Sequence, residues 1–484
     1  MGVFRRSSSG VPTGDAIPFE HQGTTHLFFL SSPPDTLDYP DRVRTTWQHV
    51  ASEDLATWRE LPPALEPGPP GSVDGDGVWT GSVIERDGTF HLFYTGHRVG
   101  VRNPQSICLA TSTDLVTFTK HEGNPILLPP PGCEPVDWRD PYVFFNEAES
   151  RYWMVIAARL AEGPRWRRGC LMLATFDDLL TWTVEQEPLY VPGSTYCPEC
   201  PEMWELDGRW YLVYSRFSEH VGTIYRVADD PRGPFRAPAD DELGGRRWYA
   251  AKSAPSRDRN GRVFFGWVHD RAATGRWCWG GDFAAPREVR ADGDGMLHVR
   301  LAESVARRFD RPVPLDGADT ATITLDAVGS SADHILTPAT VPSAYLVRCA
   351  FSGDDSPAAF GLMLRTDADL AGWYVTFDRI RGSVHLSRSP YPLDDFWADL
   401  VGRGAERREV DGALAAEARV ALAEGPVRAE CAILVDGSVV EVYVNDEVVL
   451  THRIDDSGDD ELGLFVVDGA VTCQVSLASA DQEW

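Results

Sequence analysis

Polar turns followed by strands of aromatic and β-branched residues recur through the first part of the chain. The copies are "HQGTTHLFFL" (21–30), "RDGTFHLFYTG" (86–96), "AESRYWMVIAA" (148–158), "LDGRWYLVYS" (206–215) and "RNGRVFFGW" (259–267). Gly23, Gly88, Gly208 and Gly261 hold the turn, and Ser150 stands at the matching place in the third copy. Period-two patterning bounded by Gly, Asp and Asn predicts strands. A second element follows most copies: "SEDLATW" (52–58), "STDLVTF" (112–118), "FDDLLTW" (176–182) and a degraded "ADDPRGPF" (228–235). Each reads as a polar turn leading to an outer strand. Neighbouring copies lie roughly 50 to 65 residues apart, a spacing that suits four-stranded blades. The pattern predicts an all-β chain that opens with a five-bladed β-propeller over residues 1–305.

Beyond an Arg- and Pro-rich connection at 306–318 the rhythm changes. Segments such as "AYLVRCAFSG", "AFGLMLRTD" and "ELGLFVVDGAVTCQVSLAS" alternate between "DGS", "VND" and "VDG" turns. These predict a C-terminal antiparallel β-sandwich over 319–484.

The first strand of each propeller blade lines the central channel. Counting back eight to ten residues from each turn position reaches Asp15, Trp79, Asp140, Glu199 and Lys252. Three carboxylates, an indole and an ammonium are thereby expected around one axis. Crowded acids raise one another's pKa at a cost in stability, which marks a functional site.

Composition narrows the ligand. A formal charge of −28 over 484 residues argues against nucleic acid and anionic membranes, which are gripped by clustered Lys and Arg. A neutral or cationic small molecule fits better. Lysine occurs only at Lys120 and Lys252. No apolar run has signal-peptide or membrane-spanning length, so a cytoplasmic location is expected. The nine cysteines are scattered apart from Cys197 and Cys200 in "YCPECPEMWEL" (196–206), as in a reducing compartment. One CxxC supplies two zinc ligands where four are needed, and thioredoxin-like chemistry wants an α/β setting. Neither a metal nor a cofactor is expected, and Glu202 reads as a strand residue with local partners. The oligomeric state stays open.

"WRDP" (138–141) and "ECP" (199–201) resemble the two most specific motifs of glycoside hydrolase family 32, the β-fructofuranosidases such as invertases, levanases and inulinases. "WTGS" (79–82), "WQHVASEDLATW" (47–58), "YAAKS" (249–253) and "WGGDFAAPRE" (279–288) are similar to further family segments in the right order. The resemblance spans both predicted domains and implies the same propeller and sandwich. It implies a retaining double displacement on short fructo-oligosaccharides or sucrose-like oligosaccharides. Asp15 would be the nucleophile, Glu199 the acid/base and Asp140 the transition-state stabiliser. Arg139 would orient the carboxylates, Trp79 would wall the sugar, and Lys252, Ser82, His49, Trp47 and Trp279 would join in binding. Trp277 is a second candidate for the rim, and Asp38 and Asp41 lie on the first long loop. One stretch departs from the family: where Asn-Asp-Pro-Asn-Gly is usual, the chain reads "GDAIPF", with Gly14 and Ile17 at the two Asn positions. The glutamine usual after the following strand is replaced by the serines of "HLFFLSSPP". Two alternatives follow: a glycosidase or transglycosylase for another furanoside (an arabinofuranoside or a cyclic fructose dimer), or a carbohydrate-binding propeller without catalysis.

Overall fold

In the computed structural model, which describes residues 4–176, 179–272, 276–338, 341–354, 357–390, 414–419, 425–454 and 461–480, the alternating segments are antiparallel strands. Helix is confined to single short turns among these residues, and none is long and apolar enough to cross a membrane. The described chain divides into two compact units, one ending at His298 and the other beginning at Val299.

In the first unit the strands follow one another in up-and-down sheets. The first sheet holds β1 (Thr13–His21), β2 (Thr24–Ser31), β3 (Thr46–Ser52) and β4 (Arg59–Leu65). The second holds β5 (Gly77–Arg86), β6 (Thr89–His97), β7 (Gln105–Ser112) and β8 (Thr119–Lys120). The third holds β9 (Cys133–Asn146), β10 (Arg151–Leu160), β11 (Gly169–Phe176) and β12 (Thr183–Val184). Then come β13 (Glu199–Leu206), β14 (Arg209–Arg216) and β15 (Gly222–Ala228). Last are β16 (Trp248–Pro255), β17 (Arg262–Arg271), β18 (Trp277–Phe283) and β19 (Arg287–Ala291), with β17 central. β18 pairs with β1 through Thr13 and Gly281, so the last strands join onto the first sheet. The first strands touch in a closed ring: β1 with β5, β5 with β9, β9 with β13, β13 with β16, and β16 with β1.

Both faces of these sheets are buried, and this explains why "HLFFL" is nearly continuous in apolar residues. Phe28 and Leu30 enter the core shared with the second sheet, beside Trp47, Leu92 and Tyr94. Leu27 and Phe29 enter the core on the other side, beside Phe265 and Trp267. Phe93 likewise turns away from Leu92 and Tyr94, towards Trp138 and Ile156. Burying each such side chain contributes roughly 1.5–3 kcal/mol.

The repeated Ser-x-Asp-Leu element is a fixed turn at the end of the third strand. Ser52 Oγ accepts the Leu55 N–H at 2.8 Å, and Asp54 Oδ1 accepts those of Ala56 and Thr57 at 2.9 and 2.6 Å. Ser112 and Asp114 make the same bonds to Leu115, Val116 and Thr117. These bonds hold Leu55 and Leu115 in the left-handed region, at φ of 65° and 56°, which β-carbon crowding otherwise disfavours. Asp177 and Asp178 of the third copy lie outside the described residues.

The second unit has a seven-stranded and a six-stranded antiparallel sheet around one apolar core. The expected connector at 306–318 is not a free linker. Arg311–Val313 pairs with the strand Ala470–Ser479, because its backbone completes that sheet's edge. The division itself falls ahead of the expected residue 305.

Candidate active site

Each of the five first strands breaks its register at one level. The breaks fall between Thr13 and Ala16, Trp79 and Gly81, Arg139 and Tyr142, Glu199 and Glu202, and Tyr249 and Lys252. A bulge sets an extra residue against its partner strand and re-aims the side chains around it. In three strands a non-glycine residue there is left-handed: Asp140 at φ 57°, Cys200 at 49° and Ala250 at 49°. Such a conformation costs of order 1–3 kcal/mol and persists where neighbours over-determine it. The neighbours are a relay of hydrogen bonds. Asp140 N–H donates to Thr95 Oγ1 at 2.8 Å, Cys200 N–H to Asp140 Oδ2 at 2.8 Å, and Ala251 N–H to Thr223 Oγ1 at 3.3 Å.

The ladder corrects the expected register. Thr13, Trp79, Arg139, Glu199 and Tyr249 are the last residues paired before the bulges. Asp140 follows that level by one residue, Asp15 by two and Lys252 by three. Counting from the turn misleads because hairpin loops differ in length: two residues at 207–208, four at 147–150 and six at 256–261.

The bulges surround a cavity of about 270 Å³ lined by Asp15, Asp140, Glu199, Arg139, Trp79 and Trp279 among the expected residues. Gln105, Asp137 and Tyr249 extend its polar wall, and Leu30, Tyr39 and Val43 its apolar wall. Arg139 is buried at the centre of the polar wall. Its guanidinium donates to Asp137 Oδ1 at 2.5 Å, Glu199 Oε1 at 2.9 Å and Gln105 Oε1 at 3.1 Å, with Asp140 Oδ2 at 3.7 Å. Tyr249 Oη donates to the other Glu199 oxygen. Asp15 is held by different donors: Thr80 Oγ1 at 2.5 Å and Cys200 Sγ at 3.5 Å on Oδ2, and Trp267 Nε1 at 3.0 Å on Oδ1. Trp79 is fixed by its Nε1 bond to Val43 O at 2.7 Å and by stacking on His97, 4.1 Å between centroids.

The acids share one electrostatic problem. Burial pushes the Asp15 carboxyl up to about 7; the negative charges of Asp140 and Glu199 add to this, while the Thr80 and Trp267 hydrogen bonds oppose it. Burial also raises Glu199, against the Arg139 charge and the Tyr249 hydroxyl. Asp15 and Glu199 therefore hold protons at a pH where isolated acids have lost them.

Four expected binding residues do not line this cavity. Lys252 lies on the far side of the bulge, where Nζ donates to Gly81 O at 2.7 Å and sits 5.1 Å over the Tyr142 ring. Ser82 accepts the Val143 N–H at 2.9 Å, and both residues line a separate cavity with Ile17 and Tyr142. His49 is buried, 3.0 Å from His26 Nδ1 and stacked on Phe28, and burial drives its pKa down to about 3. Trp47 is fully buried and donates to Trp79 O at 2.9 Å, so it supports the strand that carries Trp79. Trp277 is covered by the Arg247 guanidinium at 3.8 Å and is not on the cavity wall. Asp38 and Asp41 are exposed, Asp38 in an ion pair with Arg276 at 3.0 Å.

Cys197 and Cys200 point into different cores, Cys197 towards Leu171 and Leu212, and Cys200 towards Ala250 and Phe265. Glu202 is buried and accepts from Ser253 N and Oγ at 2.8 and 2.6 Å and from Trp204 Nε1 at 3.1 Å. Residue counting missed Tyr249, Thr80, Trp267, Gln105 and Asp137. Tyr249 carried a signal, since it opens "YAAKS" (249–253).

The chain matches a family model described as Glycosyl hydrolases family 32 N-terminal domain over residues 16–300, and one described as Glycosyl hydrolases family 32 C terminal over 317–481. The first match begins one residue after Asp15. A sucrose-6-phosphate hydrolase of Escherichia coli is 28% identical over 451 residues, 88% of this chain and 84% of that protein. A levanase of Bacillus subtilis (strain 168) is 28% identical over 93% of this chain and 66% of its own length. Among solved structures, an exo-inulinase from Aspergillus awamori superposes with a TM-score of 0.76 at 22% identity, covering 99% of this chain and 98% of that one, which speaks to fold.

Proposed function

The chain belongs to glycosyl hydrolase family 32 and is a glycoside hydrolase, and from that premise we propose that it cleaves terminal β-fructofuranosides with retention, on a five-bladed propeller. Support for the blade count comes from the closed ring of five first strands. Nine free thiols suit a reducing, cytoplasmic setting.

In this reading Asp15 and Glu199 take opposite parts of a double displacement. Glu199 gives its proton to the glycosidic oxygen as the bond from that oxygen to the anomeric carbon breaks, and an Asp15 oxygen bonds to the same carbon. Water then attacks the ester, loses a proton to Glu199 and frees Asp15. The two acids are separated by their donors. Arg139 and Tyr249 fix Glu199, whereas Thr80, Cys200 and Trp267 fix Asp15. Tyr249 can turn its hydroxyl from donor to acceptor as Glu199 gains or loses a proton. Asp140, held by Arg139 and the Cys200 amide, faces the cationic character that develops in the sugar ring. At about 270 Å³ the cavity is at the small end for ligand sites, which suits one terminal sugar unit and exo action.

The observation that carries the proposal is the meeting of Asp15, Asp140 and Glu199 on one cavity wall system. The test is a screen of sucrose, 1-kestose, inulin and levan for released monosaccharide, with the first-formed anomer read by NMR. Fructose released first as the β-anomer is expected. Release of the α-anomer, or no release from any of the four, would overturn it.

A further inference from the structure

Residue 14 adjoins Asp15 and carries no side chain, and the room a side chain would need is already filled. A Cβ built on Gly14 would lie 2.7 Å from Trp279 Cζ2 and closer still to Cη2. Real Cβ atoms do not come that near, so the indole rests directly on the backbone beside Asp15.

Trp279 is firmly seated there. Its carbonyl accepts from Arg42 Nε at 2.5 Å, and the same buried guanidinium donates to Thr36 O at 2.6 Å. Its ring packs 5.7 Å from that of Trp267, tilted by 57°, and Trp267 in turn donates to Asp15. On the cavity wall it meets Leu30, Val43 and Tyr39. The cavity lining is therefore of two kinds: Gln105, Asp137 and Arg139 offer hydrogen bonds, whereas Trp279, Leu30 and Val43 offer carbon.

We propose that Trp279, seated over Gly14, is a specificity-determining residue of the sugar subsite. It holds the terminal furanose by C–H contact with an aromatic face, so the hydroxyl on that side of the ring is not read. This rests on the fructofuranosidase reading above and narrows its substrate class. The site accepts β-fructofuranosides in which that hydroxyl is missing or replaced by hydrogen, while it still demands the hydroxyls that meet the polar wall. The two walls differ in what they reject. A hydrogen-bonding wall discriminates by about 10⁴ against an analogue lacking the hydroxyl it binds, because its own buried groups are left unpaired, whereas an apolar wall discriminates by only about 10- to 200-fold.

The experiment uses sucrose and three analogues, each lacking one hydroxyl of the fructosyl ring (at carbon 3, 4 or 6), on four proteins: the natural chain, Trp279→Ala, Gly14→Asn and Gly14→Asn/Trp279→Ala. For the natural chain, one analogue should keep kcat/KM within about 10²-fold of sucrose and the others should fall by 10³-fold or more. Trp279→Ala should lower kcat/KM on sucrose at least tenfold, mainly through KM, and change the ranking of the analogues. Gly14→Asn alone should lose more activity than the double variant, because removing the indole makes room for the amide, and the double variant should reject the formerly tolerated analogue. Thermal unfolding of each variant separates folding from selection, since an unstable variant loses all substrates in proportion. Uniform rejection of every analogue by the natural chain, or an unchanged ranking in Trp279→Ala, would overturn the inference while sucrose turnover leaves the fructosidase reading standing. No turnover of sucrose, 1-kestose, inulin or levan by the natural chain would overturn both.

Discussion

Two glutamates in this chain have the same kind of partner and different surroundings. Glu199 accepts from the Tyr249 hydroxyl in the first unit, and Glu441 accepts from the Tyr443 hydroxyl at 2.8 Å in the second. Glu441 is fully buried on a strand whose ladder with Arg453, His452 and their neighbours is unbroken from Val439 to Val444. Glu199 stands at a bulge, its side chain 22% exposed to a cavity that also holds Arg139, Asp15 and Asp140. A tyrosine–carboxylate pair inside a regular sheet satisfies a buried acid. The same pair at a broken register, with other acids lining the same cavity, is where the proposed reaction places proton transfer. The longest ladder of the second unit, Ala344–Gly353 against Val427–Asp436, runs without a shift, whereas all five first strands of the first unit are interrupted.

The comparison breaks most visibly at the carboxylates themselves. Asp15→Asn or Glu199→Gln should cut kcat/KM on sucrose and 1-kestose by at least ~10³-fold with the fold retained. Glu441→Gln should leave kcat/KM within about twofold. Equal losses in both units would place the effect in folding and dissolve the distinction.

Stability should move in the opposite sense at Asp15. Its folded-state pKa of about 7 lies above the roughly 3.9 of an unfolded aspartate. The folded chain thus keeps a proton there that the unfolded chain has released, and this contribution favours folding at low pH and is lost as pH rises towards 7 and beyond. Asp15→Asn should raise stability at pH 8 by about 2–4 kcal/mol, and by much less at pH 4, in denaturant titrations. A destabilised variant at pH 8 would contradict the burial of that charge.

Tyr249→Phe sharpens the contrast at smaller scale. Loss of a hydrogen bond to a charged group of about 1.5 kcal/mol predicts roughly a tenfold fall in kcat/KM, against none for Tyr443→Phe. Smallest is the change in pH profile. In the proposed double displacement turnover needs ionised Asp15, so kcat/KM should fall as pH drops through about 7, well above the limb an ordinary aspartate would give. Thr80→Val removes a donor that favours the ionised form and should move this limb upward by roughly half a unit to one unit. A downward shift would assign the limb to another group.

Much of this arrangement was legible in the sequence. The turn glycines and the Ser-x-Asp-Leu elements announced the sheets because their hydrogen bonds are local, and Trp79 and Glu199 were placed at one level because both precede two-residue turns. Asp140 and Asp15 reached the same cavity from other levels, since each bulge adds a residue that no period-two pattern records. Lys252 was misplaced by the six-residue loop at 256–261, and Tyr249 was overlooked for the same reason. Packing across strands is harder still to read. Nothing adjacent in sequence ties Gly14 to Trp279, or Thr80 to Asp15; the first contact exists only once the last strands return to β1, and the second only where β5 packs against β1.

The most direct test is to trap the intermediate. After rapid acid quench of the natural chain mixed with excess sucrose, peptide mass spectrometry should find one fructosyl unit in ester linkage on Asp15, and Asp15→Asn should abolish it. A fructosyl ester on Asp140 or Glu199, or steady turnover with no ester on any carboxylate, would contradict the account.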